Sequence, residues 1–507
     1  MVYKVLTYTL VGIDAFLVEV ESDVSLGLPA FNIVGLPENT IKESKERIRA
    51  AIKNSKLPFP EHRITINLAP ADLRKEGTSF DLPIAVSVLA HSLNIPKEHF
   101  ASFLVSGELS LTGEIKMTKG ALSSAFLSKK LKLKGLILPP QNALEVARFI
   151  DIPVYPVNHI LDVVSFLKGE KQIKPFKYDN DDLTQMATDF PFDYSEVAGQ
   201  YQAKRALEIA AAGKHNVLMF GPPGSGKSMM AVRIPTILPE MTLEEALETT
   251  MIYSCAGLLD GGKPVTKRPF RSPHHTSSEV SLVGGGTVPR PGEISLAHNG
   301  VLFLDEFPEF KRPVIEALRQ PLEEGVIHVS RANSSVTFPA DFMLVAAMNP
   351  CFCGFYGDAG RQCSCSYAQV LKYRKKVSGP ILDRIDIHIE VPRVPIKELS
   401  KDSGIETSSD IRARVVKARE IQKERFKKSS IFNSRMTTAM IKKFCQLNQQ
   451  AQSLINSAAE TFKFSARSYN KILKLARTIA DLDGAGDVQS HHVAEAIHLR
   501  GMDKEIS

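Results

Sequence analysis

The sequence has no long apolar run, no internal repeat and no low-complexity tract in its 507 residues. A membrane-spanning helix needs roughly 20 consecutive apolar residues, and no stretch approaches that length. The opening residues MVYKVLTYTLVGIDAF carry one lysine and no small-residue cleavage site, and Asp14 interrupts their apolar character, which argues against a signal peptide. We therefore expect a cytoplasmic protein that has no membrane partner.

Cysteine is also scarce, with six in the chain. Thiols stay reduced in the cytoplasm, so clustered cysteines there favour metal binding over disulfides. Four of the six lie in MNPCFCGFYGDAGRQCSCS, residues 348–366, as two Cys-x-Cys pairs. The other two, Cys255 and Cys445, stand alone, and we expect them to pack in the core.

Neither sign of charge dominates, since 63 Lys and Arg residues against 56 Asp and Glu residues leave a net charge of +7. This mild basicity permits a polyanionic partner without requiring one. The hydrophobic share of 43% and the charged share of 23% are ordinary for a globular protein. The length predicts roughly two to four domains.

Hydrophobic periodicity divides the chain into regions. Residues 1–170 alternate β-rich runs such as RITINLAP with helix-like stretches such as NTIKESKERIRAAIKNS, which predicts an α/β domain. Residues 171–195 are polar and lack a period, which predicts a linker. Residues 196–395 form a second α/β region, and residues 396–507 are predicted to be mostly helical.

The strongest motif is HNVLMFGPPGSGKSMMAVRI, in which an apolar strand runs into GxxxxGK(S/T) and a helix follows. Glycines let backbone N–H groups converge on phosphate oxygens, and the helix N-terminus adds positive potential. Lys227 can reach the β- and γ-phosphates, and the Ser228 hydroxyl can ligate Mg²⁺. The predicted phosphate-binding loop comprises Gly221, Pro222, Pro223, Gly224, Ser225, Gly226, Lys227 and Ser228.

Two further apolar strands end in polar residues. VLFLDE (301–306) ends in Asp305, which would hold Mg²⁺ through water, and Glu306, which would act as general base. FMLVAAMN (342–349) ends in Asn349, which can orient the attacking water. Strands of an open parallel sheet present ligands at their carboxyl ends, so these endings can converge on one nucleotide. The pattern predicts an NTPase.

The segments AGQYQAKRALEIAAAGKHNVLMFGPPGSGKS, PRPGEISLAHNGVLFLDEFPEF, AAMNPC and SGPILDRIDIHIEV resemble the magnesium-chelatase-like AAA+ ATPases of the ComM/YifB family. The resemblance extends over essentially the whole chain. It implies an AAA+ P-loop NTPase with a helical lid that uses ATP and Mg²⁺ and assembles into a homo-oligomeric, hexameric ring. It also implies a DNA partner, with helicase activity in branch migration of recombination intermediates during natural transformation.

The resemblance assigns further roles by position. The lysine–serine and aspartate–glutamate pairs above correspond to Walker A and Walker B, and Asn349 to sensor 1. Arg384, in LDRID, corresponds to an arginine finger that reaches the neighbouring subunit, and Arg467, in FSARSYNKIL, to sensor 2. The alternatives are a surface ion pair of Arg384 with Asp383 or Asp386, and a solvated helix position for Arg467.

Residues 1–170 resemble the Lon protease-type (S5-like) α/β domain. The segment KEGTSFD places Ser79 where that family has its nucleophile, and a serine nucleophile needs an activating base. The family lysine position is occupied by Leu122 in KGALSS, while Lys116 and Lys119 lie on the other side of the glycine. We therefore expect this domain not to be proteolytic.

Two basic stretches could contact DNA. Region 250–300, an insertion between the Walker motifs, contains a long Gly-rich segment (261–292) with five cations and one acid, although a packing loop between subunits is the alternative. Its tandem histidines, His274 and His275, favour backbone or interface roles. The helix 411–428 has eight Lys or Arg and two Glu, and both a DNA face and a solvated face fit it. The five cations of the insertion are Lys263, Lys267, Arg268, Arg271 and Arg290.

The cysteine knot, residues 350–366, lies in the chain between Asn349 and Arg384. Its members Cys351, Cys353, Cys363 and Cys365 could form a tetrahedral S₄ site for structural Zn²⁺. Such a site would fix a loop between two catalytic elements. The alternative is four reduced cysteines without metal.

The leading hypothesis is an oligomeric ATPase that moves DNA. The alternative is a magnesium-chelatase-type ATPase that drives metal insertion or remodels a protein partner, and a third possibility is a protease-associated chaperone. The N-terminal region 1–170 favours the first, because chelation does not need it.

Overall fold

The computed structural model describes residues 2–177, 190–286, 289–331, 334–358, 360–394, 406–428 and 431–500. Part of the predicted linker (178–189), two residues of the insertion (287–288) and the start of the predicted C-terminal region (396–405) lie outside the described residues. Among the described helices, none has both the length and the apolar composition needed to cross a membrane.

A mixed sheet of seven strands organises the N-terminal region, in the order β3-β4-β2-β1-β5-β8-β9. Its edge β3 pairs in parallel with β4, β4-β2-β1 is antiparallel, and β1-β5-β8-β9 is parallel. The strands of this sheet are β1 Tyr3–Val11, β2 Asp14–Ser25, β3 Ala30–Val34, β4 Arg63–Ala69, β5 Phe103–Val105, β8 Gly135–Leu138 and β9 Val154–Pro156. A separate antiparallel pair consists of β6 Glu108–Leu109 and β7 Ile115–Lys116. The helices are α1 Asn39–Asn54, α2 Asp81–Leu93, α3 Lys97–Phe100, α4 Ala121–Lys130, α5 Pro140–Ala147 and α6 Ile160–Leu167.

A parallel sheet of five strands, in the order β11-β14-β17-β10-β18, organises the central region. Its strands are β10 Val217–Phe220, β11 Phe270–Arg271, β14 Val301–Leu304, β17 Met343–Met348 and β18 Ile387–Glu390. Two small pairs accompany it: β12 Gly284–Gly285 with β13 Arg290–Pro291, and β15 Val326–Arg331 with β16 Ser334–Pro339. The helices are α7 Tyr201–Gly213, α8 Lys227–Ile237, α9 Leu243–Ala256, α10 Glu279–Val283, α11 Glu293–Leu296, α12 Arg312–Ala317, α13 Arg319–Glu324, α14 Tyr367–Arg374 and α15 Gly379–Leu382. The predicted α/β class is confirmed.

The three central strands of this sheet are apolar because both of their faces are covered. Strands β14 and β17 are buried along their whole length, and β10 is buried except at Phe220. Continuous apolar runs are typical of parallel sheets that carry helices on both sides. Their alignment brings the carboxyl ends of β10, β14 and β17 to one edge.

The described residues after the central sheet contain five α-helices: α16 Ser408–Phe426, α17 Thr438–Phe444, α18 Gln449–Phe462, α19 Ala466–Leu482 and α20 Ser490–His498. The predicted helical character of the C-terminal region is therefore present. These helices share one hydrophobic core with a face of the central sheet, in which Val217 and Val345 belong with Ile411 and Ile472. The helical region thus packs on the sheet itself.

The N-terminal and central regions are joined through helix α9. Its residues Leu247 and Met251 pack against the N-terminal core cluster around Leu136. At the same contact, the hydroxyl of Ser254 donates to the buried carboxylate of Glu145 at 2.5 Å. The helix therefore contributes side chains to the core of the N-terminal region as well as to its own.

Candidate nucleotide-binding site

The predicted phosphate loop connects β10 to α8 at the carboxyl edge of the central sheet. Gly221 passes so close to β18 that an added Cβ would lie 2.1 Å from the carbonyl oxygen of Val391. Gly226, just before the helix, has φ of 95°, which favours glycine over other residues. The glycines thus allow a tight loop whose amides lead into a helix N-terminus, where anions bind.

Lys227 is buried, and its ammonium turns back into the loop. Nζ donates to the carbonyl oxygens of Gly221 at 2.7 Å and Pro222 at 2.9 Å. Burial lowers the pKa of Lys227 to about 8, while the nearby Asp305 carboxylate opposes that shift. A phosphate placed here would give this cation a stronger partner than the two carbonyl groups, since hydrogen bonds between charged groups are the stronger kind.

The two predicted magnesium ligands lie together although 77 positions separate them in the sequence. The Ser228 hydroxyl donates to Oδ2 of Asp305 at 2.7 Å, and Oδ1 of Asp305 accepts the backbone N–H of Glu306 at 2.8 Å. A hydroxyl and a carboxylate oxygen are ligands that Mg²⁺ prefers, so this pair fits a magnesium site.

Glu306 has a contact that the sequence did not predict. Its backbone is left-handed, with φ of 51°, and its side chain is 54% exposed. Oε2 lies 3.0 Å from Nδ1 of His275, which comes from the insertion. The predicted general base is therefore held by a side chain of another segment.

Asn349 follows β17, whose last residue Met348 pairs with Phe220 at the end of β10. This register places Asn349 beside the phosphate loop, and β17 also lies next to β14, which leads to Asp305. Burial raises the pKa of Tyr373, and the nearby backbone of Asn349 opposes that shift. The three strand endings therefore lie at one edge of the sheet, as the sequence predicted.

Arg384 and Arg467 lie together in a second cavity of about 350 Å³. Arg384 donates to the carbonyl oxygen of Pro380 at 2.6 Å and pairs with Glu323 at 2.5 Å. The alternative interpretation predicts an ion pair of Arg384 with Asp383 or Asp386, whereas the structure pairs Arg384 with Glu323. Arg467 is exposed on α19 and lines the same cavity. The cavity's cations are Lys214, Arg384, Arg435, Arg467, Lys471 and Lys474, and its acids are Glu323, Asp341, Asp383 and Asp386.

None of the phosphate-loop or Walker B residues lines that second cavity. The predicted site residues thus form two clusters. The phosphate-loop and Walker B residues lie at the sheet edge, and Arg384 and Arg467 line a different cavity of the same chain.

The four predicted cysteine ligands converge. Sulfur–sulfur distances are 3.3 Å for Cys351–Cys353, 3.5 Å for Cys353–Cys363 and 3.7 Å for Cys351–Cys363. All four sulfurs, including that of Cys365, lie within 4.8 Å of one another. A Zn–S bond of about 2.3 Å in a tetrahedron separates sulfurs by about 3.8 Å, so the cluster fits zinc.

The knot also touches the phosphate loop. An added Cβ on Gly354 would lie 2.8 Å from Cδ of Pro223 and 3.9 Å from Cγ of Asn349. The knot backbone therefore packs directly on the loop and beside the predicted sensor, a contact that the cysteine spacing alone did not predict.

The insertion presents fewer free cations than its sequence indicated. Arg268 pairs with Glu245 at 2.9 Å, and Arg271 pairs with Glu293 at 2.6 Å. Arg268 therefore ties the insertion to the first half of helix α9, and Arg271 is paired within the insertion. Lys263 and Arg290 are exposed and remain candidates for contact with DNA.

Helix α16 distributes its cations in the same way. Arg414 pairs with Glu208, Arg425 with Asp481, and Arg419 donates to the carbonyl oxygen of Ala211. These arginines face protein. The exposed cations of the helix and its end are Lys417, Lys423, Lys427 and Lys428.

The region around Ser79 shows other uses for the candidate lysines. Lys116 pairs with Glu114 at 2.8 Å, and the Lys119 side chain packs against Gly257. Leu122 is fully buried, and its backbone N–H donates to Glu145 at 2.9 Å. The lack of an activating lysine at Ser79 stays a prediction.

Gln200 is a second site residue that sequence reasoning missed. Its side-chain amide donates to the carbonyl oxygen of Ser225 at 3.1 Å and to that of Pro392 at 2.6 Å. It therefore ties the phosphate loop to the chain that follows β18. Gln200 lies in the segment AGQYQAK, and no residue pattern in that segment indicates a contact with the phosphate loop.

Three stretches of the chain match known families. Residues 193–399 match "Magnesium chelatase, subunit ChlI", residues 20–142 match "Subunit ChlI of Mg-chelatase", and residues 405–500 match "Magnesium chelatase, subunit ChlI C-terminal". Together these matches cover part of the N-terminal sheet, the whole central sheet and the C-terminal helices.

Two relatives of similar length and one shorter relative also match. The competence protein ComM of Haemophilus influenzae is 45% identical over 497 residues, which are 97% of this chain and 96% of the relative. The uncharacterised protein YifB of Salmonella typhimurium is 42% identical over 500 residues, 98% of this chain and 97% of the relative. The magnesium-chelatase 38 kDa subunit of Cereibacter sphaeroides is 28% identical over 177 residues, 32% of this chain and 53% of the relative.

Proposed function

The chain belongs to the magnesium-chelatase-like AAA+ ATPases of the ComM/YifB family, and from that premise we propose that it is an ATP-dependent DNA motor. The observation that carries the ATPase part is the meeting of Lys227, Ser228 and Asp305 at one sheet edge. The proposal extends to helicase or branch-migration activity on recombination intermediates in natural transformation. It is supported there by the similarity to a competence protein over nearly the full chain.

In the proposed reaction the chain's own groups have separate tasks. Lys227 and the loop amides bind the β- and γ-phosphates, and Ser228 and Asp305 would hold an Mg²⁺, which would neutralise phosphate charge. Glu306 accepts a proton from water as the water oxygen bonds to the γ-phosphorus and ADP leaves, while Asn349 orients that water.

We extend the proposal to a homo-oligomeric, hexameric ring in which Arg384 reaches the nucleotide of the next subunit. Its support is that Arg384 lines a cavity that none of the phosphate-loop or Walker B residues lines. A cation supplied in this way stabilises transition-state charge and makes hydrolysis depend on assembly.

We also propose that the four-cysteine cluster binds one structural Zn²⁺ per chain. Support comes from the sulfur separations and from the contact between the knot and the phosphate loop. The protein purified without chelators should carry about one zinc per chain. Cys363→Ser should lower that content, keep ATP binding and slow hydrolysis. A fully active preparation that lacks zinc would leave the cysteines as packing residues.

The alternative function is metal insertion or protein remodelling of the magnesium-chelatase type. Its specific support is the match to a magnesium-chelatase subunit, which covers about a third of this chain. The match to the competence protein covers 97% of the chain and therefore favours the DNA motor.

ATPase rates with and without DNA test the proposal. We expect turnover that requires Mg²⁺ and Glu306 and that increases with single-stranded or forked DNA. Unwinding of a labelled forked duplex, compared between the wild type and Glu306→Gln, tests the motor. Turnover that ignores DNA, with no unwinding, would contradict the motor and leave the remodelling alternative.

A further inference from the structure

Two acceptors hold Arg384 in the arginine cavity, our name for the cavity of about 350 Å³ that Arg384 and Arg467 line. Nη2 of Arg384 donates to Oε1 of Glu323 at 2.5 Å, and Nη1 donates to the carbonyl oxygen of Pro380 at 2.6 Å. A hydrogen bond between charged groups is stronger than one between neutral groups, so Glu323 is the stronger of the two partners. The guanidinium is therefore held at both of its terminal nitrogens.

The held guanidinium keeps donors for a further ligand. An arginine side chain has two N–H groups on each terminal nitrogen. Glu323 and Pro380 each accept from one of them, so each terminal nitrogen of Arg384 keeps one N–H. Two such donors on a planar fork match the oxygens of a phosphate group. Arg384 is thus oriented by the protein while it retains donors that a phosphate would need.

The backbone around Glu323 is also fixed. The carbonyl oxygens of Leu322 and Glu323 each accept a hydrogen bond from Nη1 of Arg435 at 2.9 Å. Nη2 of Arg435 donates to Oδ1 of Asp341 at 2.9 Å, and Nζ of Lys214 donates to Oδ2 of Asp341 at 2.6 Å. The Glu323 side chain is 51% exposed, yet the helix end that carries it is tied to the sheet through these two cations.

Glu323 and Asp341 flank the two-stranded hairpin β15–β16. Glu323 lies at the end of α13, and Gly325, with φ of 70°, turns the chain into β15. Asp341 follows β16 and precedes β17. Both ends of the hairpin are therefore held at the arginine cavity, and the carboxylate that pairs with Arg384 belongs to this fixed base.

Strand direction places this base at the amino edge of the central sheet. The strands β10, β17 and β18 are parallel, and the phosphate loop follows the carboxyl end of β10. Asp341 precedes β17, and Asp386, which also lines the cavity, precedes β18. In the proposed ring, Arg384 acts on the nucleotide of the next subunit, so residues of its own chain have to set its direction.

We propose that Glu323 is a positioning residue that directs Arg384 toward the nucleotide of the next subunit. The proposal rests on the proposed ring ATPase and adds to it the group that orients the trans cation. Fixing a long side chain costs conformational entropy, and Glu323 fixes this one before the subunits assemble. Six cations against four acids line the cavity, so it still attracts an anion when this ion pair is formed.

Glu323→Ala, Glu323→Gln and Glu324→Ala test the positioning role, with kcat and KM for ATP measured on assembled protein. For Glu323→Ala we expect kcat to fall by up to about 10²-fold with KM little changed, because a misplaced catalytic group costs that much. Glu323→Gln keeps an acceptor oxygen and should recover part of the loss. Glu324→Ala is the matched control, since this neighbouring carboxylate is 57% exposed and accepts from Gln320 at 2.9 Å.

Two further measurements separate positioning from a purely structural role. The double variant Glu323→Ala/Arg384→Ala should be no slower than Arg384→Ala, because Glu323 acts through that arginine. Glu323→Ala mixed with Lys227→Ala should regain turnover, since an intact phosphate loop then meets an intact Glu323–Arg384 pair from the other chain. A structural role for Glu323 predicts an additional loss in the double variant and no gain on mixing.

Turnover of Glu323→Ala at or above the wild-type rate, with Arg384→Ala slow, would overturn the positioning role and leave the proposed ring ATPase standing. An additional loss in the double variant would overturn it in the same way. Wild-type turnover in Arg384→Ala would instead overturn the trans arginine of the proposed function, and the role of Glu323 with it. All variants should melt near the wild-type temperature, because the Glu323 side chain is half exposed.

Discussion

The N-terminal and central regions of the chain differ in how exposed their key polar side chains are. At the edge of the central sheet, Ser228, Asp305 and Glu306 keep accessible atoms. In the N-terminal region, Glu145 is fully buried and accepts hydrogen bonds from Leu122, Asn142 and Ser254. Glu145 has only protein hydrogen-bond partners and thereby joins the N-terminal region to helix α9. A carboxylate that keeps accessible oxygen atoms can instead bind a ligand.

The electrostatics of the two regions follow the same division. Burial raises the pKa of Glu145, which the three donors oppose. Burial lowers the pKa of Lys227 to about 8, and Nζ donates to two carbonyl oxygens and, at 3.4 Å, to the Ser225 hydroxyl. Glu145 has three polar donors as partners, whereas the Lys227 ammonium has only neutral hydrogen-bond partners among the described residues and lies where a phosphate would bind.

The largest effect is expected at the phosphate loop. Lys227→Ala removes the buried cation that contacts phosphate, so ATP binding should be lost in calorimetry. Glu306→Gln removes only the proton acceptor, so it should bind ATP and lose turnover by up to about 10⁴-fold. Turnover near the wild-type rate in Glu306→Gln would show that Glu306 is not the base.

The second prediction concerns the arginine cavity. Arg384→Ala should bind ATP and hydrolyse it about 10³-fold more slowly. Mixed with Lys227→Ala, it should regain activity, because hybrid interfaces combine an intact loop with an intact arginine. Arg384→Lys is the control, since lysine keeps the charge without the planar fork. Mixed rings that stay inactive would argue that Arg384 does not act in trans.

The central site was largely predictable because its parts are local. The spacing GxxxxGK(S/T) and the two strand endings, at Asp305 and Asn349, each lie within one short segment, and parallel strands bring such endings together. The α/β class could be predicted in the same way, because strand-like and helix-like hydrophobic patterns alternate along the chain. Such local patterns can be recognised in the sequence because the strand, the loop and the helix are consecutive in the chain.

The contacts that sequence reasoning missed all join distant segments. His275 meets Glu306, Gln200 meets Pro392, and Arg384 meets Glu323 through packing that no spacing reveals. Counting cations also misled, since Arg268 and Arg271 are held by acids elsewhere in the chain. Charge composition gives the number of cations, and only the fold decides which of them have partners.

A third prediction tests the joining role of Glu145. Glu145→Ala leaves buried donors of Leu122, Asn142 and Ser254 without an acceptor, which should cost about 1–3 kcal/mol of unfolding free energy. Chemical denaturation measures this loss. Glu114→Ala is the matched control, because that carboxylate is 57% exposed and its ion pair contributes little. Equal stability of the two variants would contradict the joining role.

The smallest effect is expected at Ser79. A serine becomes nucleophilic only when a base takes its proton. Leu122 stands at the expected lysine position and is buried, and the amine of Lys116 pairs with Glu114 at 2.8 Å. Ser79→Ala should therefore leave ATPase activity, DNA unwinding and stability near wild-type values.

The wild type should also leave an unfolded protein substrate intact in the presence of ATP and Mg²⁺, as followed by gel electrophoresis. Leu122→Lys places an amine at the family position as a further comparison. Cleavage by the wild type that disappears in Ser79→Ala would make the N-terminal sheet a second catalytic region. Without such cleavage, the polar groups of this sheet serve packing, and the chemistry of the chain stays with the central sheet.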